Sequence, residues 1–160
     1  MVIREIKPED MERIVEIAVE AWTPIYEGHR QVLGGEMFEA AWPGDVREKA
    51  RQVRSACDVR NPAMVLVAEK DGRIVGFVTF YLNNKTLMGE IGNNAVDAGF
   101  RGMGVAPRMY EETFTRMRRF GMRFVKVQTG GDPTYAAARR AYEKVGFSLQ
   151  IPSVVYFRQL

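Results

Sequence analysis

Residues 100–106 read Phe100-Arg101-Gly102-Met103-Gly104-Val105-Ala106, and how they are read decides how the rest of the chain is parsed. Two glycines one residue apart stand between a β-rich run ending near Val96 and a helical pattern opening at Val105. Glycine reaches positive φ without steric cost and lets another group approach the backbone. A helix N-terminus behind it offers unpaired N–H groups and the positive end of the helix dipole. Ala106 keeps side-chain bulk low. On physical grounds alone the stretch is an anion cradle, or a tight turn that holds glycine only for shape. Two better-known cradles are excluded. A Walker loop needs Lys-Ser/Thr after its last glycine, where this chain has Val105-Ala106. A dinucleotide fingerprint needs a third glycine where Pro107 stands.

Downstream, Ala106, Met109, Tyr110, Thr113, Phe114 and Met117 share one face of a helix running from about Val105 to Phe120, which Gly121 is placed to end. Phe124–Gln128 reads as a strand and Pro133–Val145 as a short helix stopped by Gly146. Phe147–Leu149 and Val154–Phe157 are expected to be the last strands. Upstream, Leu87–Val96 is a strand. Met64–Ala68 and Ile74–Leu82 are β-rich runs around Lys70-Asp71-Gly72-Arg73, whose Asp-Gly is a hairpin signal. Val2–Ile6 opens the chain as a strand. Pro8 begins an amphipathic helix over residues 8–22, and Thr23–Gly35 reads as a loop. A second helical region follows, interrupted at Pro43-Gly44 and ended by Asn61-Pro62. The expectation is one mixed α/β (α+β) domain spanning 1–160. Its central sheet has six or seven strands and about four flanking helices.

Composition bounds the function. The 160 residues carry 23 Lys and Arg against 20 Asp and Glu, a net charge of +3, too small to argue for nucleic acid. Residues 1–60 are net −3, while 101–126 are net +5, which suits a phosphate-rich ligand beside the glycine loop or a solvated helix face. No apolar run approaches the ~20 residues that span a bilayer, so no membrane association is expected. The single cysteine, Cys57, fits a reducing compartment and a buried apolar role. The expected setting is the cytoplasm. No His, Cys, Asp and Glu stand at metal-ligand spacing, so no metal is expected.

Arg101-Gly102-Met103-Gly104-Val105-Ala106 resembles the Arg/Gln-x-x-Gly-x-Gly/Ala element of the GNAT superfamily of acetyltransferases, and Ala141-Tyr142-Glu143-Lys144-Val145-Gly146-Phe147 resembles that family's second element. Glu90–Val96 is similar to its fourth strand, and the order of elements matches over nearly the whole chain. The resemblance implies a sheet splayed between strands 4 and 5, with a bulge at Gly92-Asn93-Asn94. It implies acetyl-CoA as co-substrate, its pantetheine arm pairing near Ala95 and Val96 and its pyrophosphate on Arg101, Gly102, Met103, Gly104, Val105 and Ala106. Tyr142 takes the position of the general acid, and Glu90 is the candidate base. Tyr135 stands where many members carry asparagine, and is expected to contact the cofactor in its place. Trp22 and Tyr26 are expected to line the acceptor pocket, with Glu20 or Glu27 attracting a cationic amine. The implied activity is transfer of acetyl to a primary amine of a small molecule, peptide or protein. The alternative is a non-catalytic acyl-CoA-binding module. A homodimer is compatible with the sequence, which does not name the acceptor.

Overall fold

Alternation along two long strands builds the centre of the molecule. In the computed structural model, β1 (Val2–Glu5), β2 (Met64–Lys70), β3 (Arg73–Asn83), β4 (Met88–Val96) and β5 (Phe124–Val127) form one sheet in the order β1-β2-β3-β4-β5. All residues except Val59 and Pro62 are described; the expected helix stop at Asn61-Pro62 therefore falls partly outside them. The first four strands are antiparallel neighbours, and β5 runs parallel to β4. Asp71 and Gly72 take φ of 51° and 73°, the two positive values that a tight hairpin turn needs.

Side chains alternate between two cores. Leu66, Ala68, Val78, Phe80 and Ile91 meet Met109, Tyr110, Phe114 and Met117 of α4 (Val105–Arg119) and Tyr142 of α5 (Ala136–Lys144). Val65, Val67 and Phe77 point the other way, onto Ile14, Ile17 and Ala18 of α1 (Met11–Leu33) and Val53 of α3 (Asp45–Ala56). The sheet is thus buried on both faces, and α2 (Gly35–Ala41) extends the second layer.

Two expectations are corrected. First, the helix expected to stop at residue 22 continues to Leu33, through the stretch read as a loop. Pro24 lacks the N–H that would reach the carbonyl of Glu20, at a usual cost of about 3 kcal/mol. Aromatic packing beyond it offsets this: Tyr26 meets Phe38 edge-on at 6.1 Å, and His29 stacks on Trp42 at 4.9 Å. Second, the sheet has five strands among the described residues. Phe147–Leu149 and Val154–Phe157 carry strand-forming side chains but pair with nothing; Pro152 interrupts them, and Leu149, Ile151 and Tyr156 are exposed. Strand propensity is realised only against a partner edge, and the tail instead sets Phe157 5.9 Å from Trp42. The expected interruption at Pro43-Gly44 is present: Trp42-Pro43-Gly44 divides the second helical region into α2 and α3, so that five α-helices stand among the described residues.

Asp10 ties β1 to α1. It is buried, accepts from Arg4 Nη1 at 2.7 Å and Nη2 at 3.0 Å, and takes the Lys7 N–H at 2.7 Å. Burial works against its charge, but the Arg4 and Lys7 hydrogen bonds outweigh it and hold the carboxyl below its usual range. The stability this contributes is present above the unfolded pKa of about 4 and is lost as pH falls through the folded value. Asp10→Asn should cost about 2 kcal/mol at pH 7 by urea unfolding, and the gap from wild type should shrink toward ~pH 3. A gap that stays constant with pH would mean the charge carries none of it.

Candidate active site

The site begins where β4 changes neighbours. The pairing of β3 with β4 slips by one residue between Val78↔Asn94 and Phe80↔Ile91, so Thr79 stands opposite Gly92 and Asn93 together, a β-bulge. Only glycine fits at 92, since a Cβ there would lie 2.7 Å from Thr79 Oγ1. Thr79 Oγ1 donates to the Asn93 carbonyl at 3.3 Å. β5 pairs with Met88–Ile91 and stops there. From Gly92 to Val96, β4 keeps β3 on one side and has no strand on the other, so this edge of β4 borders the opening. The predicted bulge and splay are both present.

The opening leads to the glycine turn. Gly102 and Gly104 have φ of 76° and 77°, and a Cβ at either would meet nothing within 4 Å. Their role is therefore backbone shape and not packing. Gly104 is the N-cap of α4 and supplies no side-chain cap, leaving the first N–H groups of the helix free of side-chain partners. Met103 is exposed, Val105 is buried beneath the turn, and Ala106 packs at the edge of the core. Arg101 Nε donates to the Val96 carbonyl at 3.3 Å, tying the turn to the end of β4.

On the α4–α5 face, Asn94 holds two phenols. Tyr110 Oη donates to Asn94 Oδ1 at 2.7 Å, and Asn94 Nδ2 donates to Tyr142 Oη at 3.1 Å. The rings of Tyr110 and Tyr142 are 5.3 Å apart. Burial pushes the Tyr142 phenol above its ordinary pKa, against the lowering effect of its bonds to Asn94 and Tyr110. Burial, with the neighbouring Tyr142, pushes Tyr110 higher still. The expectation for Tyr142 rested on its motif alone. Asn94 and Tyr110 were read as bulge and core residues, and only the bulge, which turns Asn94 toward α5, makes them partners of Tyr142.

Glu90 lies on the opposite face. Gly89 and Ile91 face α4, where a Cβ on Gly89 would strike Met117, so the intervening Glu90 points toward the α1–α3 side. Its carboxylate pairs with Lys126 Nζ at 2.8 Å and is partly exposed. Asn93 is turned to this face too, where its Oδ1 accepts from Lys49 Nζ at 3.2 Å. Lys49 sits 4.7 Å from the Trp22 ring centroid, and burial lowers its pKa. Nothing in the sequence marked Lys49, because its helix turn reads as an ordinary solvated face. Tyr26 is partly buried beside Phe38. Tyr135 packs on Gly130, 6.3 Å from the His29 ring, so it lies beside the later turns of α1. His29 Nδ1 is buried without a hydrogen-bond partner among the described residues. Glu20 and Glu27 are both exposed. Cys57 is buried in apolar surroundings that push its thiol up to about 11, far from a reactive thiolate.

The model of the acetyltransferase (GNAT) family matches residues 13–147. No curated protein matches the chain in sequence. Several solved structures share its fold. The PaiA N-acetyltransferase of Thermoplasma acidophilum, solved in complex with coenzyme A, is 18% identical with a TM-score of 0.74, covering 95% of this chain and 92% of its own. The ribosomal-protein-alanine N-acetyltransferase of Brucella melitensis biovar Abortus 2308 is 17% identical with a TM-score of 0.66, covering 99% and 100%. An aminoglycoside 6′-N-acetyltransferase of Acinetobacter haemolyticus is 15% identical with a TM-score of 0.65, covering 100% and 99%.

The two clamped phenols can be read directly. In an ultraviolet titration through ~pH 10, where free tyrosine ionises, Tyr110 and Tyr142 should stay protonated, because burial raises both phenols. Their signal should appear only with unfolding. Six phenolates titrating together near the ordinary value would dissolve the clamp.

Proposed function

This chain belongs to the acetyltransferase (GNAT) family, and we propose from that premise that it transfers an acetyl group from acetyl-CoA to a primary amine of a small molecule, peptide or protein. The single observation that carries the reading is a juxtaposition. The gap left by β5 runs from a buried phenol on Asn94 to a left-handed glycine turn at a helix N-terminus. The whole chain, 1–160, acts as one domain in this reading. A cytoplasmic setting belongs to the same proposal; among the described residues no helix is long and apolar enough to cross a membrane.

The residues fit acetyl-CoA along its length. The strand-free edge of β4 at Ala95 and Val96 takes the amide-bearing arm as an added strand would be taken. The N–H groups of Gly102, Met103, Gly104, Val105 and Ala106 receive the pyrophosphate, with the Arg101 guanidinium beside them. When bound, acetyl-CoA supplies an activated thioester carbonyl and a thiolate leaving group. Tyr142 holds the proton for that sulfur. Asn94 donates to the phenol oxygen at 3.1 Å, the phenol's own hydrogen makes only a long 3.4 Å contact with Asn94 Oδ1 that the sulfur can replace, and burial keeps the phenol protonated at neutral pH. Glu90, whose carboxylate pairs with Lys126 at 2.8 Å, acts on the other face as base, taking the amine proton through water. Tyr135 borders the arm, and Trp22 and Tyr26 wall the acceptor. The two relatives named for ribosomal-protein alanine and aminoglycoside N-acetylation support an amine as the acceptor.

A thiol-release assay over a panel of amines, amino acids and peptides tests this. Tyr142→Phe should lower kcat about a hundredfold and leave the KM for acetyl-CoA nearly unchanged; undiminished turnover would remove Tyr142 from the mechanism. Gly104→Ala places a Cβ at φ of 77° and should cost about 1 kcal/mol in the turn. That change should appear as a weaker KM for acetyl-CoA with kcat retained. Tight acetyl-CoA binding without thiol release across the whole panel would favour the non-catalytic binding module instead.

A further inference from the structure

Lys49 is a cation without a counter-ion in a place where charge is costly. Its ammonium has three N–H donors. One goes to the Asn93 carboxamide, and the Trp22 ring face takes up part of the charge. Among the described residues no carboxylate oxygen lies within 4.0 Å of it. The acids nearby are already engaged. Asp45 meets Arg30 at 3.7 Å, Glu48 accepts from Arg51 at 2.8 Å, and Glu90 is held by Lys126 at 2.8 Å. Lysine is seldom buried unless paired, and a desolvated ammonium lacks much of its hydration. Lys49 also hangs on the bulge itself, through the residue next to Asn94, on the face opposite Tyr142.

We propose that Lys49 is the anchor for a carboxylate on the acceptor, so that the preferred acceptors are amino acids whose side chains rest against Trp22 and Tyr26. This rests on the reading of the chain as an N-acetyltransferase and narrows it. It also reverses the expectation of a site built to attract cations: Glu20 and Glu27 lie exposed, and the unpaired charge at the bulge is positive. A bound carboxylate would give the Lys49 ammonium a second hydrogen bond, and would raise again the pKa that burial now lowers. The acceptor amine, a few ångströms from its own carboxylate, would then lie over the bulge between Lys49 and the opening.

The test compares matched acceptors that differ only in the carboxylate: phenylalanine with phenethylamine, and leucine with isoamylamine. In the intact protein, kcat/KM for each amino acid should exceed that of its decarboxylated partner by about tenfold or more, the size of a charge-assisted hydrogen bond. Lys49→Met should abolish the ratio while leaving the KM for acetyl-CoA and the melting temperature in place. Lys49→Arg should keep most of it. Equal use of both partners by the wild type, or a preference surviving in Lys49→Met, overturns the proposal and leaves the transferase reading intact. Calorimetric titration of the CoA-loaded protein with N-acetylphenylalanine gives a readout independent of turnover. Binding lost in Lys49→Met supports the anchor even if no thiol is released, in which case it is the catalytic reading that fails. No binding together with no preference overturns the anchor.

Discussion

Everything at the candidate site depends on one backbone event, the extra residue in β4 at Gly92-Asn93. It ends the pairing with β5 after Ile91 and reverses which way the following side chains point. Without it, Asn94 would share a face with Glu90 and be turned away from Tyr142. With it, Asn93 meets Lys49 on one face while Asn94 meets Tyr142 on the other. The bulge is itself held by packing that tolerates only glycine at 92, because Thr79 already fills the space a Cβ would take. A local irregularity in one strand thus sets the chemistry presented on both sides of the sheet.

The carboxamide of Asn94 has a directional consequence. It carries its acceptor and its donors on separate atoms, so it can meet two buried phenols at once. Tyr110 spends its hydrogen on the amide oxygen, which fixes the amide's orientation; the amide nitrogen then addresses Tyr142. An aspartate at 94 would accept from both phenols, and each hydroxyl hydrogen would be occupied.

Much of the fold was legible because periodicity and punctuation agreed. The Asp71-Gly72 hairpin, the face of α4 and the glycine turn all appear where residue chemistry demands them. Two parts were not legible. α1 passes through Pro24 because Tyr26 and His29 find aromatic partners in α2 and at Trp42, contacts that lie outside any local window. The tail shows strand-like residues that stay unpaired, because propensity says nothing about whether an edge is within reach. At the site, Tyr142 and the glycines stood out by motif. Asn94, Tyr110 and Lys49 did not, since each acquires its meaning from a partner at least sixteen residues away, brought close by the bulge.

The residues of β4 beyond its pairing with β5 address both faces of the sheet, and this has a consequence for the order of events. On the proposed reading, donor and acceptor approach from opposite faces and neither blocks the other's path. The chain's single thiol, Cys57, is buried and kept protonated, and so does not carry the acyl group between them. Such a layout suits a ternary complex, in which both substrates are present before any bond changes, and leaves no place for a covalently loaded enzyme to wait between two half-reactions. Initial-rate lines that intersect, and do not run parallel, are the kinetic signature of a sheet with two doors.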